Sequence, residues 1–423
     1  MFVGDPLSGS ALDDSPPKPN EAFPPAGRHH LDRRIAPPVT MVDCVKDIVG
    51  RYDPASPLAE ASTPPSSWYT DLRVLELEQQ TVFSYSWQLV GRVSQLRDPG
   101  QYLTCKVGGE PILVVRGKDG ALRGFFNVCR HHAAAVLTES EGRADHLRCP
   151  YHGWTYNLEG ALVLTPEFGG VCNFDRSASG LVPVQTAQWN DWLFVRLEPG
   201  GPPLENFLGT DLVKQFAHLN LEQLCWLERR SYMIECNWKV FVDNYLDGGY
   251  HVPHIHRGLS SVLSHNDYAI ETGERFCLQS SPIVSDKADG PTAEVRQGPR
   301  ALYYWIYPNF MVNCYEGVMD TNLVVPRGVD RTEVIFDYYF ADVSPQAREK
   351  NLASIVVSEQ VQNEDVAICE SVQRGLGSRA YSAGRLSVRR EAGEHLFHRL
   401  LHADLKIGLS NHAGKQSQPS TDS

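Results

Sequence analysis

Between residues 70 and 200 the chain alternates short apolar runs with turn residues. The runs are rich in β-branched and aromatic side chains, which is typical of strands. Strands are predicted at 82–93, 102–107, 111–116, 122–126, 155–157, 161–164 and 192–196. Asp119-Gly120 has the composition of a hairpin turn between the third and fourth of these strands. The pattern predicts a small all-β domain over residues 67–204, with Pro199-Gly-Gly-Pro-Pro203 at its end.

The pattern of residues 205–409 is mixed. Helices are predicted at 211–217, 239–250, 345–373 and 391–406, and strands at 301–307, 321–325 and 333–340. An antiparallel sheet with a long helix packed against it is therefore expected. The predicted fold class of the whole chain is α+β, with an all-β domain followed by a second domain over residues 205–409.

Both ends of the chain differ from these domains in composition. The first 66 residues contain 12 of the 28 prolines, so an irregular arm is predicted there, with a short helix at 41–49. Residues 410–423 are predicted to form a disordered polar tail. Residues 1–40 carry five acids against four lysines and arginines, whereas transit peptides are poor in acids. The composition of the arm thus gives little support for import into an organelle.

Length and charge exclude several classes of protein. The chain has 423 residues and a formal net charge of −12, whereas nucleic-acid or anionic-membrane binding requires a basic face. No stretch approaches the roughly 20 apolar residues that a membrane span requires. Ten cysteines are too sparse for a disulfide scaffold, and the spacing of two of them indicates metal binding instead.

Two pairs of metal-binding residue types occur in the predicted all-β domain. Cys129-Arg-His131 is followed, after 17 residues, by Cys149-Pro-Tyr-His152. Each pair places a thiolate and an imidazole on one tight loop, and two facing loops supply four ligands. A Rieske-type [2Fe–2S] cluster needs two cysteines and two histidines of this kind. Gly153 then lets the backbone turn close to the cluster.

A structural zinc site is the alternative for these four residues. Zinc fingers usually keep their two cysteines together and their two histidines together, whereas each loop here mixes one of each. That mixture suits two iron atoms, one held by Cys129 and Cys149 and the other by His131 and His152. The neighbouring His132 is expected to be an ordinary loop side chain.

A second group of acids and histidines lies between residues 237 and 256. Asp243 and Asp247 are four residues apart and would share one face of a helix. His251 and His256 flank Pro253, which ends the helix and lets both rings converge. Two histidines and one distant carboxylate form the facial triad of non-haem Fe(II) oxygenases.

The third ligand of such a triad must come from elsewhere in the chain. Glu364-Asp365 on the predicted long helix is the best source, with Asp365 favoured. His254 is a rival ligand, because its spacing of three from His251 also permits a shared face. The alternative is a helix end with solvated acids and surface histidines.

Both motifs, in this order, resemble the Rieske-type non-haem iron oxygenases, and within them the choline monooxygenases of plants. The similarity covers about residues 60–406. It rests on Cys129-Arg-His-His-Ala133, Cys149-Pro-Tyr-His-Gly-Trp154, Asn244-Tyr-Leu-Asp-Gly-Gly-Tyr-His-Val-Pro253, Tyr307-Pro-Asn-Phe-Met311, Met319-Asp-Thr-Asn-Leu323 and Glu359-Gln-Val-Gln-Asn-Glu-Asp365.

The resemblance implies an architecture and a set of cofactors. The family has a Rieske β-domain followed by a helix-grip domain with a mononuclear iron, and it commonly assembles as a head-to-tail trimer. The implied cluster ligands are Cys129, His131, Cys149 and His152, and the implied iron ligands are His251, His256 and Asp365. The acid that bridges the two centres between subunits would be Asp247. Three residues separate Asp247 from His251, one more than in most of the superfamily, so Asp243 is the alternative.

The resemblance also implies a reaction. Reduced ferredoxin would supply electrons, and O2 would hydroxylate the alcohol carbon of choline to a gem-diol that loses water to give betaine aldehyde. Rivals are an oxygenase or demethylase of another quaternary amine, such as carnitine or a betaine, and a Rieske electron carrier without catalytic iron. The family implies the chloroplast stroma, whereas the acidic arm favours the cytoplasm.

A quaternary ammonium group is bound by aromatic faces, since its nitrogen forms no hydrogen bond. The aromatic segment 303–315 is the candidate cage, although such strands more often fill a core. The candidate residues are Tyr303, Trp305, Tyr307, Phe310 and Tyr315, of which the first three are expected on one side of a strand. Glu316 would either attract the cation or face solvent. Candidates for a basic patch that steers ferredoxin are Arg123, Arg130, Arg143 and Arg148.

Overall fold

The structure is a computed structural model that describes residues 44–284 and 291–416. Its helices are α1 (Val45–Gly50), α2 (Ser67–Thr70), α3 (Leu72–Gln80), α4 (Val82–Tyr85), α5 (Leu204–Leu208), α6 (Thr210–Ala217), α7 (Trp238–Leu246), α8 (Val252–Ile255), α9 (Arg257–Val262), α10 (Pro291–Val295), α11 (Arg348–Leu376) and α12 (Ala392–Gln416).

The strands form three sheets. They are β1 (Gln88–Arg92), β2 (Gln101–Val107), β3 (Glu110–Arg116), β4 (Leu122–Phe126), β5 (Glu141–Arg143), β6 (Leu147–Arg148), β7 (Thr155–Tyr156), β8 (Leu162–Leu164), β9 (Pro183–Trp189), β10 (Trp192–Arg196), β11 (Cys225–Ile234), β12 (Ala269–Thr272), β13 (Phe276–Pro282), β14 (Arg300–Ile306), β15 (Phe310–Tyr315), β16 (Val318–Gly328) and β17 (Arg331–Phe340).

Residues 88–196 form β-strands, but the all-β domain predicted over 67–204 begins too early, because residues 67–85 form the helices α2, α3 and α4 and pack into the core of the C-terminal part. One sheet has the strand order β1-β10-β9-β4-β3-β2-β5, and a small sheet has the order β6-β7-β8. Strand β3 is buried on both faces because its side chains alternate between two clusters. Ile112 and Val114 pack with the β10 side, whereas Leu113 and Val115 pack with the cluster that contains Cys129. The loops with the predicted cluster ligands are therefore anchored on the hydrophobic core.

The C-terminal part is an antiparallel sheet with helices packed against it. Its strand order is β11-β17-β16-β15-β14-β13-β12, and every neighbouring pair is antiparallel. One continuous core joins Phe241 of α7, Trp305 of the sheet, Ile355 of α11 and Phe397 of α12. The predicted α+β class is confirmed. Among the described residues no helix has the length and hydropathy of a membrane span.

Helix α7 is held in place by a buried ion pair with α3. Asn237 caps the helix by accepting a hydrogen bond from the backbone N–H of Lys239 at 3.1 Å. The Lys239 ammonium lies 2.7 Å from the Glu78 carboxylate, which also accepts a hydrogen bond from the indole of Trp238 at 2.8 Å. Both charged side chains are fully buried. Because α7 leads directly into the predicted iron ligands, this pair fixes the base of that site.

The structure corrects several predicted boundaries. Residues 82–85 are helical instead of extended, because Val82 and Phe83 pack into the core and Ser86 bonds back to the carbonyl of Val82. Helix α7 ends at Leu246 instead of 250. Helix α12 continues to Gln416, so the tail predicted from 410 is helical in its described part. The predicted helix at 41–49 is seen as α1, while most of the proline-rich arm lies outside the described residues.

Candidate metal centres and substrate cavity

The two Cys–His loops share one backbone design. The N–H of Cys129 donates to the carbonyl of Ala134 at 2.8 Å, and the N–H of Ala133 donates to the carbonyl of Cys129 at 3.0 Å. In the second loop Cys149 bonds to the carbonyl of Trp154 at 2.9 Å, and Gly153 to that of Cys149 at 3.1 Å. The fourth residue after each cysteine has a positive φ, 59° in one loop and 72° in the other. This repeat brings equivalent side chains of both loops to one place.

The four predicted cluster ligands converge. Cys129 and Cys149 are buried, and the rings of His131 and His152 have centroids 4.8 Å apart. The Nδ1 of His131 is buried and has no hydrogen-bond partner among the described residues. A ring nitrogen in that position fits a metal bond, so the site suits the [2Fe–2S] cluster. His132 is exposed, as predicted for an ordinary loop residue.

Two aromatic residues support this site, and neither was singled out for that role from the sequence. The ring of Trp154 stacks on His131 with centroids 4.6 Å apart and an interplanar angle of 8°. The hydroxyl of Tyr156 lies 3.4 Å from the sulfur of Cys129 and accepts a hydrogen bond from the N–H of Arg130 at 3.0 Å. Both contacts orient groups next to the cluster. The motif Gly153-Trp154 was the only sequence signal for either of them.

The predicted iron ligands form a second convergent site. The Nε2 atoms of His251 and His256 are 3.0 Å apart, and Oδ1 of Asp365 lies 3.0 Å from the Nε2 of His256 and 3.7 Å from that of His251. Such short separations between three ligand atoms suit one shared metal ion, and the residue types form a facial triad. His251 and His256 flank α8, while Asp365 comes from α11.

A carboxylate holds the other nitrogen of each histidine. Nδ1 of His251 is 2.5 Å from Oδ2 of Asp247, and Nδ1 of His256 is 2.7 Å from Oε2 of Glu364. These contacts place the ring proton on Nδ1 and leave Nε2 free to bind a metal. Burial lowers the pKa of His256, but Asp365 and Glu364 outweigh burial and raise it. From the sequence, Glu364 was considered only as the less favoured source of the third iron ligand, and its contact with His256 was not predicted.

The structure separates the two acids that were expected to share a helix face. Asp243 lies on α7 and contacts the hydroxyl of Tyr69 at 2.7 Å and the Nε2 of His398 at 3.0 Å. Asp247 lies just beyond the end of α7, where it contacts His251. Gly248 and Gly249, with φ of 69° and 66°, turn the chain after Asp247, and this turn brings His251 back to its carboxylate.

Two other neighbours of the triad are clarified by the structure. His254, the rival ligand, is exposed and is not part of the group that could hold a metal ion. Asn244 donates a hydrogen bond from Nδ2 to Oδ1 of Asp365 at 2.8 Å, a contact that fixes the carboxylate. Asn244 begins one of the stretches that carry the family resemblance, but nothing in the sequence indicated its contact with Asp365, which is 121 residues away.

A cavity of about 110 Å³ adjoins the triad. Its wall includes four tyrosines and a mixture of apolar and polar side chains. The tyrosines are Tyr245, Tyr268, Tyr303 and Tyr315. The hydroxyls of Tyr303 and Tyr315 are 2.9 Å apart.

The aromatic cage predicted from the sequence is only partly at this cavity. Tyr303 and Tyr315 line it, whereas Trp305, Tyr307 and Phe310 are buried in the core and do not. Trp305 packs on Phe397 of α12, with ring centroids 5.4 Å apart, so it lies too far along β14 to reach the cavity. Strand alternation placed Tyr303 and Trp305 on one side but did not give their distance from the iron site.

The cavity wall also contains a buried carboxylate. Oδ2 of Asp320 accepts hydrogen bonds from Asn313 at 2.7 Å and Asn322 at 3.2 Å, and no described residue donates to Oδ1. Burial raises the pKa of Asp320, which a cation in the cavity would counteract. Glu316, the acid considered from the sequence, is exposed and is not on the cavity wall.

A buried arginine lies across the same cavity. The guanidinium of Arg296 stacks over the ring of Tyr315 at 4.6 Å and donates to the hydroxyl of Ser354 at 2.7 Å. The cavity therefore presents both an anionic and a cationic side chain. Such a cavity can bind a small molecule that carries a positive group at one end and a negative or polar group at the other.

The arginines predicted as a docking patch differ in their surroundings. Arg130 and Arg148 are exposed next to the cluster loops, and Arg143 is exposed near Asp98. Arg123 is held by both carboxylate oxygens of Asp119, at 2.8 and 2.7 Å, so its charge is largely neutralised.

Comparison with known proteins places the chain in a family. The Rieske [2Fe-2S] domain model matches residues 86–175, and the model of the ring hydroxylating alpha subunit (catalytic domain) matches residues 221–406. The choline monooxygenase of Arabidopsis thaliana is 41% identical over 87% of this chain and 89% of its own length. This chain belongs to the choline monooxygenase family of Rieske oxygenases. The spinach choline monooxygenase is 35% identical over 87% of the chain and 84% of its own length.

The choline monooxygenase family is closely related to carnitine-oxidising enzymes. The carnitine monooxygenase oxygenase subunit of Escherichia coli is 32% identical over 76% of the chain and 86% of its own length. The crystal structure of a quaternary ammonium Rieske monooxygenase with L-carnitine superimposes with a TM-score of 0.72 and 28% identity, over 86% of this chain and 98% of that one.

Family membership establishes the cofactors as a Rieske [2Fe–2S] cluster and a mononuclear iron. The residues present fit both groups. The Cys129–His131–Cys149–His152 loops offer two thiols and two imidazoles, and the His251–His256–Asp365 triad offers an N/N/O ligand set.

Proposed function

We propose that this enzyme oxidises choline to the hydrate of betaine aldehyde. The observation that carries the proposal is the cavity beside the iron triad, which combines tyrosine faces with the buried carboxylate of Asp320. A trimethylammonium group is attracted by both features, because it carries a charge and offers no donor for a hydrogen bond. The relatives with the highest identities reported above are choline monooxygenases.

The proposed reaction balances with two electrons and two protons. Choline, O2, two electrons and two protons give the gem-diol and one water, and the gem-diol then loses a second water to form betaine aldehyde. The mononuclear iron supplies the oxygen chemistry when it is bound. Asp247 and Glu364 hold His251 and His256 in one tautomer. The cavity wall binds the cationic end of choline and thereby orients its alcohol carbon.

We propose that Asp247 connects the iron site with the Rieske cluster of a neighbouring subunit. Asp247 and His251 keep about one sixth of their side-chain surface exposed, so they are reachable from outside. The exposed Tyr250 lies next to Asp247, and the exposed Tyr151 lies beside His152, with ring centroids 3.7 Å apart. Large exposed aromatic side chains at both centres suit a contact between subunits. A homotrimer with head-to-tail contacts, fed by ferredoxin, is the proposed assembly.

Ferredoxin is acidic, and two exposed arginines near the cluster provide a local positive charge for it to contact. Arg130 and Arg148 are exposed next to the cluster loops on a protein whose net charge is −12. Opposite charge at this place would increase the rate of association at low ionic strength. Since the choline monooxygenases it resembles are named chloroplastic, we propose a plastid location, to be tested by import of a fluorescent fusion.

The decisive experiment is single turnover with a panel of quaternary amines. The protein is loaded with iron and sulfide without air, the cluster is reduced, and ¹⁸O2 is added with choline, carnitine or glycine betaine. Choline should yield labelled betaine aldehyde hydrate. The absence of any choline product in cluster-reduced, iron-loaded protein would exclude the proposal.

A matched pair of variants tests the cavity carboxylate. Asp320→Asn should raise the KM for choline by about tenfold or more, because it removes a buried charge near the cation. Glu316→Gln removes the same charge from an exposed site outside the cavity and should leave KM unchanged. Equal KM values for both variants would show that Asp320 does not bind the ammonium group. Melting temperatures check that both variants are folded.

Carnitine or a betaine is the second candidate substrate, and Arg296 favours it. A zwitterion would place its carboxylate at the guanidinium and its ammonium group at Asp320. Arg296→Gln separates the two candidates, because it should abolish turnover of a zwitterion and spare that of choline. Formaldehyde as the product would indicate demethylation.

The third candidate, an electron carrier without catalytic iron, makes a different prediction. His256→Ala would leave the function of such a carrier intact, whereas it should abolish substrate oxidation by an oxygenase. The intact triad of ligand types supports the oxygenase.

A further inference from the structure

A second group of metal-binding side chains lies where α2, α7 and α12 meet. Asp243 of α7 has its Oδ1 3.0 Å from the Nε2 of His398, and Oε1 of Glu394 is 3.8 Å from the same nitrogen. One ligand atom from each of the three residues lies within 4.8 Å of the others. The separations of 3.0 and 3.8 Å suit ligand atoms held by one metal ion with bonds of about 2.0–2.2 Å.

The group is buried and short of positive charge. His398 is fully buried and Glu394 is 7% exposed. Two carboxylates thus face a single imidazole, and Lys239 is already paired with Glu78. Burying charge without a partner is costly, and a divalent cation would balance these carboxylates.

Among the described residues, Glu394 is the member of this group that has no hydrogen-bond donor. Its carboxylate accepts no hydrogen bond from any residue in the described part of the chain, and its ion-pair contact there is with Nε2 of His398 at 3.8 Å. It points into a cavity of about 190 Å³ that Asp243 also lines. This cavity has room for the water molecules that would complete a coordination shell. The Tyr69 hydroxyl donates to the second oxygen of Asp243 and so directs the first toward the group.

We propose that Asp243, Glu394 and His398 bind a divalent first-row transition-metal ion, distinct from the catalytic iron. One imidazole and two carboxylates suit zinc, iron or manganese better than calcium or magnesium, which prefer oxygen ligands alone. The ion would join α12 to α7 one residue before Asn244, the residue that fixes Asp365. Its role is to hold the helix that leads to the catalytic triad.

Zinc binding to the complete enzyme tests the site. Protein with both iron centres loaded is dialysed against micromolar Zn²⁺, and iron and zinc are measured together by mass spectrometry. One zinc per chain is expected, with iron unchanged at three per chain (two in the cluster and one mononuclear). Anomalous diffraction at the zinc edge should give a peak between Asp243, Glu394 and His398.

Two matched variants distinguish this site from others. Glu394→Gln keeps the shape of the side chain and should weaken zinc binding at least tenfold, with iron content and the spectrum of the reduced cluster unchanged. Glu391→Gln makes the same change at an acid whose carboxylate already accepts the N–H of Ser387, and it should retain zinc. The proposal is overturned if no zinc binds, if zinc persists in Glu394→Gln, or if zinc is gained only as iron is lost.

Discussion

Replacing Asp247 by asparagine should interrupt electron transfer to the iron site while the protein stays folded. Asp247 accepts the N–H of Tyr250 at 3.1 Å and that of His251 at 3.0 Å, and its Oδ2 lies 2.5 Å from Nδ1 of His251. The oxygen of asparagine can keep a backbone contact. The amide lacks the charge and the second acceptor that hold the imidazole proton.

The size of the effect follows from the bond that is lost. A hydrogen bond to a charged group contributes about 1.5–3 kcal/mol, which corresponds to roughly 10–100-fold in the affinity of His251 and its partners for iron. Glu364→Gln is the matched control, because it removes the same kind of bond from His256. Both variants should therefore need more iron for saturation.

The two variants should differ once iron is saturating. Glu364→Gln should recover most of its turnover, whereas Asp247→Asn should remain slow, because only Asp247 is proposed to connect the two centres. The assay is stopped-flow absorbance of the reduced cluster after O2 and choline are added, together with iron content. Wild-type reoxidation in iron-saturated Asp247→Asn, or equally slow reoxidation in Glu364→Gln, would refute the assignment.

Three further predictions concern the framework that holds the centres. Gly153→Ala should cost about 1–2 kcal/mol because φ is 72°, and it should lower cluster content as measured by visible absorbance; unchanged content would contradict the role of this turn. Lys239→Met should lower stability by about 3–5 kcal/mol in denaturant unfolding because it leaves Glu78 buried and unpaired, and adding Glu78→Gln should recover part of the loss. Burial raises the pKa of Asp404, although Tyr307 donates a hydrogen bond to its carboxylate at 2.6 Å. As pH rises, Asp404 therefore ionises in the unfolded chain, near its ordinary pKa of about 4, before it ionises in the folded protein. The free energy of unfolding should fall over the range between these two pKa values. Asp404→Asn should therefore melt at a higher temperature than the parent at neutral pH, with the difference vanishing in acid; a difference that does not vary with pH would contradict the ionisation argument.

Local sequence was sufficient where a few adjacent residues carry the chemistry. The Cys129–His131 and Cys149–His152 pairs are close in sequence, and a tight loop brings each thiol and imidazole together whatever the rest of the fold does. His251 and His256 were found in the same way. Most strands of the large N-terminal sheet were predicted, because a pleated strand with one or two buried faces needs a recognisable pattern of side chains. In the C-terminal sheet only β14, β16 and β17 were predicted, and β11, β12, β13 and β15 were missed.

Tertiary packing decided the remaining features. Val82 lies in a run with strand-like composition, yet the core that it enters favours a helical turn. Glu364 reaches His256 across 108 positions of the chain. Such a contact depends on how α11 lies over α7 and α8, which no local pattern records.

The separation of Asp243 from Asp247 shows the limit most clearly. A spacing of four residues predicts a shared helix face, but this holds only while the helix continues. The helix ends at Leu246, and two glycines with positive φ after Asp247 turn the chain so that His251 meets Asp247, while Asp243 contacts His398. The sequence by itself determined which residue types could bind metal, because that depends on the chemistry of side chains. The tertiary structure alone decided which acid serves which histidine, because that depends on where the backbone turns.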